Sequence, residues 1–332
     1  MYIGNRVGQS IGGVKMRTRK AVIIGAGHVG SHAGYALASQ GIVDEITYID
    51  IDERKAVAQA LDIFDATAYL QRHTKVTAGD YTAAKDADIL IIAAGPLPDP
   101  KKGQTRMDTL KQTVNSLQSV IEGIKTSGFN GIILNISNPA DVITHYVKVK
   151  LDYPSEKIIS TSTTLDSARL RRAVGEAFGI DQKSVYAYAL GEHGESQMVP
   201  WSTVTIAGKP IKELMAEKPE LYGNISLPAL AAEGKAGGWH ILKGKGSTEF
   251  GIGATIAEVT RAILGDEKRI LPVSVLLQGE YGENDVYASV PAILGINGVE
   301  QIIELKLTKE EREAFHASCE TMRENFELAL TL

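Results

Sequence analysis

The chain predicts an α/β fold in which a doubly wound parallel sheet is followed by a second α+β domain with antiparallel strands. Three observations predict it. A short apolar run, Ala21-Val22-Ile23-Ile24, passes straight into Gly25-Ala26-Gly27-His28-Val29-Gly30. Strand-like and helix-like segments then alternate as far as Asn138, the pattern of parallel strands joined by crossover helices. Beyond about residue 160 the pattern changes to apolar segments separated by turns.

The first strand ends at a Gly-x-Gly-x-x-Gly turn. Its first glycine makes the tight turn, its second admits a pyrophosphate close to backbone, and its third lets helix pack on strand. The backbone N–H groups and the positive end of the following helix then face phosphate. Residues 29–40 are small and apolar, as in a helix lying on a sheet, and Gly41 ends them. The second strand, Glu45-Ile46-Thr47-Tyr48-Ile49-Asp50, closes on a carboxylate twenty residues after Gly30. There it would accept hydrogen bonds from an adenosine ribose, and its charge would repel a 2′-phosphate, so NAD is expected over NADP. Residues 53–69 read as an amphipathic helix with Val57, Leu61 and Phe64 on one side. Residues 76–78 form a short strand, and residues 88–95 a continuous apolar run of buried parallel type. Pro96, Pro98 and Pro100 exclude regular structure from the next loop. A helix follows from Arg106 to about Thr126, with Leu110, Val114, Leu117 and Ile121 as its stripe, and then a buried strand over 131–137. Gly25, Asp50, Gly95 and Asn138 all follow strands, so they should gather along one sheet edge, where ligands of such sheets bind.

In the second half, residues 163–172 read as a loop opening a helix, with Asp166 as a possible N-cap. Residues 185–190 lead to the turn Gly191-Glu192-His193-Gly194. Residues 199–206, 273–277, 288–294 and 302–307 read as strands, and residues 251–264 as a small-residue helix. The last helix opens on a Thr308/Glu311 capping box and docks through Phe315, Cys319, Met322, Phe326 and Leu330. The division expected is an N-terminal extension over 1–19, poorly ordered and with Met16 as a natural start, then domains over 20–160 and 161–332.

Bulk properties narrow the function classes. The 332 residues are 44% hydrophobic and 23% charged, an ordinary globular composition. A net charge of −5 gives no electrostatic reason to expect nucleic acid or an acidic membrane as partner. The single Cys319 allows neither an internal disulfide nor a cysteine-rich metal site, which suits a reducing cytoplasm. No apolar run approaches the roughly 20 residues that span a bilayer. His28 and His32 have metal-like spacing but no third ligand in sequence, so no metal is expected and they read as packing or cofactor neighbours.

Reduction of a 2-oxo acid by hydride needs a group to bind the carboxylate, one to polarise the carbonyl and one to deliver a proton. Histidine suits proton delivery, and His193 sits on a glycine turn where backbone can crowd a ligand. Asp166 is the candidate partner that would fix its tautomer. Arg169, three residues on, offers a planar fork that matches a carboxylate bidentately.

Taken together, Gly25-Ala26-Gly27-His28-Val29-Gly30, Asn138-Pro139-Ala140-Asp141, Leu165-Asp166-Ser167-Ala168-Arg169 and Gly191-Glu192-His193-Gly194 resemble the L-lactate dehydrogenase family. Gly279-Glu280-Tyr281-Gly282 and Ser289-Val290-Pro291-Ala292 extend the likeness, which runs from about residue 20 to the C-terminus. The resemblance implies a Rossmann NAD-binding domain and a catalytic domain. It implies His193 as proton donor and acceptor, Asp166 as its partner, Arg169 on the substrate carboxylate, and Arg106 swinging in on a loop to polarise the carbonyl. It further implies Asn138 and Thr248 at the substrate, and Gly25, Gly27, His28, Val29, Gly30, Asp50, Gly95 and Asn138 at NADH. The family is usually a homotetramer or dimer, so a symmetric oligomer is expected.

Two departures bear on substrate. Pro100 stands where lactate enzymes of the family carry glutamine and malate enzymes arginine, in a loop about two residues longer than usual. Pro100 has no side-chain donor for a second carboxylate, which disfavours malate. Gly237-Gly238-Trp239 replaces a common Ala-Ala-Tyr, widening the wall beside the substrate side chain. Both features resemble the L-2-hydroxyisocaproate dehydrogenases, which take bulkier 2-oxo acids. A third departure is Tyr186, which occupies the position of the histidine that binds fructose 1,6-bisphosphate in activated bacterial members, although Arg171 is present. Activation by that sugar phosphate is therefore not expected. The expected reaction is NAD-dependent interconversion of a 2-oxo acid with its L-2-hydroxy acid, pyruvate and lactate foremost. A hydroxyisocaproate-type enzyme and a non-catalytic NAD-binding regulatory protein are the alternatives.

Overall fold

The computed structural model describes residues 18–105 and 107–332. The first half comprises β1 (Lys20–Ile24), α1 (His28–Ser39), β2 (Glu45–Ile49), α2 (Glu53–Ala66), β3 (Lys75–Ala78), β4 (Ile89–Ile92), α3 (Leu110–Ser127), β5 (Ile132–Asn135), α4 (Ala140–Leu151) and β6 (Ile158–Ser160). The second half comprises α5 (Thr164–Phe178), β7 (Val185–Tyr186), β8 (Thr205–Ile206), β9 (Lys209–Pro210), α6 (Ile211–Glu217), α7 (Pro219–Tyr222), α8 (Leu227–Lys245) and α9 (Phe250–Leu264). It closes with β10 (Arg269–Gln278), β11 (Asn284–Gly295), β12 (Gly298–Ile302) and α10 (Lys309–Leu330).

Strands β3-β2-β1-β4-β5-β6 are parallel neighbours in that order. This is the doubly wound arrangement whose order reverses between β1 and β4. The antiparallel β10, β11 and β12 continue the same sheet beyond β6, and β7, β8 and β9 make a small separate one. The expected α/β class with an antiparallel second half is thus the architecture found. Register sets the site: Ile24 pairs with both Ile49 and Ile92, and Ile92 with Asn135. The carboxyl ends of four strands therefore lie abreast. The strands are apolar throughout because helices cover both faces; Ile23, Ile46, Leu90, Ile91 and Ile133 are fully buried.

Several local expectations are corrected. In α2 the buried face is Ala56, Ala60 and Ile63, while Val57, Leu61 and Phe64 are exposed. Small residues let the helix lie close on the sheet, and an apolar stripe alone does not say which stripe faces inward. Of residues 199–206 only Thr205–Ile206 is strand, since Pro200 brings no N–H and the Thr203 amide folds back to its carbonyl. The final strand is Gly298–Ile302; beyond it the chain runs without a ladder, its Leu305 amide donating to the Tyr281 hydroxyl. Helix α3 begins at Leu110 after a 3-10 turn over Met107–Thr109. The capping box of α10 is present, and Leu330 is part-exposed where Ala329 is buried. Among the described residues no helix is long and apolar enough to cross a membrane.

One buried histidine ties stability to pH. His145 of α4 is 4% exposed and stacks on Phe326 at 3.6 Å between ring centroids. Burial lowers its pKa from 6.5 to about 4, against a smaller opposing pull from Asp285. The unfolded chain takes up this proton first as pH falls. Stability is therefore full above the unfolded value and is lost progressively down to the folded one. The expected loss from near pH 7 to about pH 5 is about 2 kcal/mol from this group. Urea unfolding of wild type and His145→Phe at both pH values measures it, and an equal decline in the two proteins would rule the group out.

Candidate active site

The glycine turn shows why its residue types are required. Gly25 has φ +102°, and a Cβ there would stand 2.4 Å from the Ala93 carbonyl oxygen. A Cβ on Gly30 would stand 1.9 Å from the Gly25 carbonyl oxygen, so only glycine lets α1 start this close to β1. Gly27 is the N-cap of α1, with no side chain over the helix end. A cavity of about 530 Å³ opens here, lined by Gly25, Gly27, Asp50, Ile51, Tyr81 and Gly95 among others. Asp50 is anchored: Oδ2 accepts the Ala26 N–H at 2.7 Å and Oδ1 the Asp52 N–H at 2.9 Å. Each oxygen keeps a lone pair for a further donor. Sequence reasoning missed Lys55, whose side chain lines this cavity near Gly27; one turn into an ordinary surface helix, it carries no local signal.

A second, smaller cavity of about 80 Å³, the size for a molecule of a few heavy atoms, is lined in part by residues that follow the same strands. Val29, Asn138, Arg169, His193, Gly238 and Thr248 line it, with Leu97 and Pro98 of the proline-rich loop. Leu165, Leu242 and Ile252 complete its apolar wall. These three were not singled out from sequence, because apolar helix residues look alike whether they face a core or a pocket.

The three candidate chemical groups meet through one carboxylate. Asp166 is the third residue of α5, whose N-cap is Thr163, so it sits in the first turn and not at the cap. Its Oδ2 lies 2.5 Å from His193 Nδ1, and its Oδ1 accepts from Arg169 Nη1 at 2.8 Å. The i,i+3 spacing on a helix makes the second contact possible. The side chains of Asp166 and Arg169 are almost fully buried, at 1% and 8% exposed. With Nδ1 engaged, His193 presents Nε2 to the pocket. Arg169 Nε and Asn138 Oδ1 are buried without a hydrogen-bond partner among the described residues. An unpaired buried donor and acceptor beside one cavity are costly unless a ligand meets them. The glycine cradle, Asp50 and these two orphaned atoms fit a dinucleotide with a small carboxylic acid beside its reactive end.

The His193 turn is held from several sides. The Glu192 carboxylate accepts the Ser196 N–H at 2.9 Å, and the Glu192 N–H donates to Ser318 Oγ of α10 at 2.9 Å. Gly191 bridges to Ser289 of β11 through both backbone groups. The His193 N–H donates to Asp141 Oδ2 at 2.8 Å. Burial pushes the Asp141 carboxyl above the usual carboxylate range, against the His193 amide and Ser162 hydroxyl that favour its charged form.

Other expected residues fall as follows. Arg106 lies outside the described residues. Pro100 opens a 3-10 turn over Pro100–Lys102. Gly238 lines the smaller cavity, but Gly237 faces Arg169: a Cβ there would stand 3.1 Å from Arg169 Cδ. The missing methyl at Gly237 therefore lets α8 pack against the Arg169 stem and does not widen the pocket. His28 pairs with Glu249 Oε1 at 2.9 Å, and His32 packs edge-on against Phe250, so the two do not converge on one point. Glu283, His316 and Glu320 do cluster, yet Arg323 sits among them and donates to Glu283 at 2.6 Å and to Glu320. That cluster is an ion-pair network. Tyr186 is exposed and its hydroxyl accepts from Tyr188.

Comparison with known proteins agrees with this geometry. The model of the lactate/malate dehydrogenase NAD-binding domain matches residues 19–160, and that of the lactate/malate dehydrogenase α/β C-terminal domain matches residues 163–332. L-lactate dehydrogenase 3 of Bacillus thuringiensis subsp. konkukian is 43% identical over 311 residues, covering 94% of this chain and 98% of that one. Among solved structures, the minor L-lactate dehydrogenase of Enterococcus mundtii in its ligands-bound form superposes with a TM-score of 0.89 at 37% identity, over 94% of this chain and 98% of that one. The malate dehydrogenase of Cryptosporidium parvum superposes equally well, with a TM-score of 0.89 at 28% identity over 95% and 100% of the two chains. With a glycine cradle and Asp50 at one end of the cleft and Asp166 joining His193 to Arg169 at the other, the chain belongs to the lactate/malate dehydrogenase family and is an NAD-dependent 2-hydroxyacid dehydrogenase.

Proposed function

We propose that this chain interconverts pyruvate and L-lactate, or a short 2-oxo acid and its L-2-hydroxy acid. The observation that carries the reading is the sharing of Asp166 between His193 and Arg169, with Arg169 Nε and Asn138 Oδ1 left unpaired at the pocket. NADH, when bound, supplies hydride to C2 of the acid. Arg169 holds the substrate carboxylate through the edge of its fork that Asp166 leaves open. His193, protonated on both ring nitrogens, delivers its Nε2 proton to the oxygen at C2 and is left as the neutral Nδ1–H imidazole, while Asp166 accepts Nδ1–H and balances the charge of the imidazolium before transfer. Asn138 orients the substrate and the nicotinamide, and Thr248 flanks them. Arg106, carried by the loop after Gly95, polarises the carbonyl when the loop closes and excludes water. Asp50 selects NAD.

A second reading, a broader pocket of hydroxyisocaproate type, is favoured by Gly238, which leaves that wall without a side chain beside Trp239 and Leu242. Initial rates with NADH on pyruvate, 2-oxoisocaproate, phenylpyruvate and oxaloacetate separate the readings. The highest kcat/KM is expected on pyruvate, and a preference for 2-oxoisocaproate would select the broader pocket. Oxaloacetate as best substrate would overturn the inference from Pro100. In the same assay, fructose 1,6-bisphosphate is expected to leave the rate unchanged, Tyr186 replacing a phosphate ligand. The exposed Val57, Leu61 and Phe64 of α2 support association of copies into a symmetric dimer or tetramer.

A further inference from the structure

Asp141 opens α4 directly after the β5–α4 turn that carries Asn138, yet it has no part in the reaction as described above. It is the second residue of α4 and 2% exposed. An acid in a first helical turn is ordinarily explained by the helix dipole. Here both oxygens turn to other elements. Oδ2 accepts the backbone N–H of His193 at 2.8 Å, and Oδ1 accepts the Ser162 hydroxyl at 2.7 Å. Ser162 lies four residues before Asp166, just ahead of α5. One buried carboxylate thus joins three segments: the turn holding Asn138, the entry to the helix holding Asp166 and Arg169, and the backbone of His193 itself. Two carboxylates hold His193, Asp166 by its ring and Asp141 by its main chain.

We propose that Asp141 is a positioning residue for proton transfer, fixing the His193 main chain relative to the turn that orients the nicotinamide and substrate. The proposal rests on the reading of His193 as proton donor. It has a physical reason. Hydride and proton reach adjacent atoms of one substrate from opposite halves of the chain, so their separation must be set by a contact that crosses between the halves. A buried carboxylate is costly to desolvate and persists when it is fully hydrogen-bonded. Asp141 is hydrogen-bonded at both oxygens, each time to a segment that carries or adjoins a candidate catalytic group.

The test compares full-length wild type, Asp141→Ala and Asp141→Asn in NADH-dependent reduction of pyruvate, with NADH affinity followed by fluorescence titration. In Asp141→Ala, kcat is expected to fall by about 10- to 100-fold, the scale of a misplacement of about 1 Å. KM and NADH affinity should change little. The solvent deuterium isotope effect on kcat should rise, because proton delivery becomes the slow step. Asp141→Asn, which keeps an acceptor oxygen in place, should recover most of the loss. If Asp141→Ala does not fold, Asp141→Ser replaces it, its hydroxyl being too short to reach the His193 amide. The proposal is overturned by an Ala or Ser variant with wild-type kcat, by a loss confined to KM, or by an unmoved isotope effect. It is also overturned if neither variant folds, which would assign Asp141 to folding alone. A wild-type chain that binds NADH but turns over no 2-oxo acid would instead overturn the reading on which the proposal rests.

Discussion

His193→Ala is expected to lower NADH-dependent reduction of pyruvate by about 10²- to 10⁴-fold, the usual contribution of a positioned general acid. Affinity for NADH should stay as in wild type, because the glycine cradle and Asp50 are separate from the imidazole. His193 Nδ1 is held at 2.5 Å by a carboxylate that is itself almost wholly buried, so the ring presents Nε2 to the pocket. Asp166→Asn should show a loss of the same kind: a neutral carboxamide no longer stabilises the doubly protonated imidazolium, the form that delivers a proton from Nε2 while Nδ1 keeps its own. Retention of near wild-type turnover in His193→Ala would leave the chain an NAD-binding protein whose chemistry lies elsewhere. Fluorescence titration beside the rate assay distinguishes lost catalysis from lost binding.

Arg169→Lys is the second large effect. The guanidinium divides its work, giving Nη1 to Asp166 while its buried Nε remains unpaired. An ammonium is a point charge without the planar fork, and it cannot hold Asp166 while offering two parallel donors to a carboxylate. The expected loss in kcat/KM is about 2–5 kcal/mol, or roughly 30- to several-thousand-fold, the range for truncating a buried hydrogen-bonded charge pair. Most of it should fall on KM. Gly237 makes the substitution harder to accommodate, because α8 packs directly on the arginine methylenes. An unchanged KM would place the substrate carboxylate on another group.

The sheet and the candidate cofactor edge were legible because they are written in backbone constraints. Gly25 and Gly30 admit no side chain where they stand, and such positions show in a sequence as glycine whatever surrounds them. Asp166 and Arg169 were legible as a pair because helical spacing alone brings i and i+3 together. What could not be read depended on tertiary neighbours. The outward face of α2 has the same period as its buried face, so periodicity groups Val57, Leu61 and Phe64 on one side but does not show that Ala56, Ala60 and Ile63 are the residues buried. Gly237 and Gly238 are adjacent and identical, yet one packs on Arg169 and the other faces the pocket. Asp141 looks like any acid in a first helical turn until its partners, 21 and 52 residues away in the chain, are known.

The central claim is that this site passes hydride directly from NADH to C2 of a 2-oxo acid while His193 supplies the proton to oxygen. NADH carrying deuterium at the transferred position of C4, supplied with pyruvate in ordinary water, tests it most directly. The account predicts L-lactate with deuterium at C2 and none at the exchangeable hydroxyl, formed by wild type and only at the greatly reduced rate by His193→Ala. Lactate without deuterium at C2, the D enantiomer, or an equal rate from the His193 variant would contradict it.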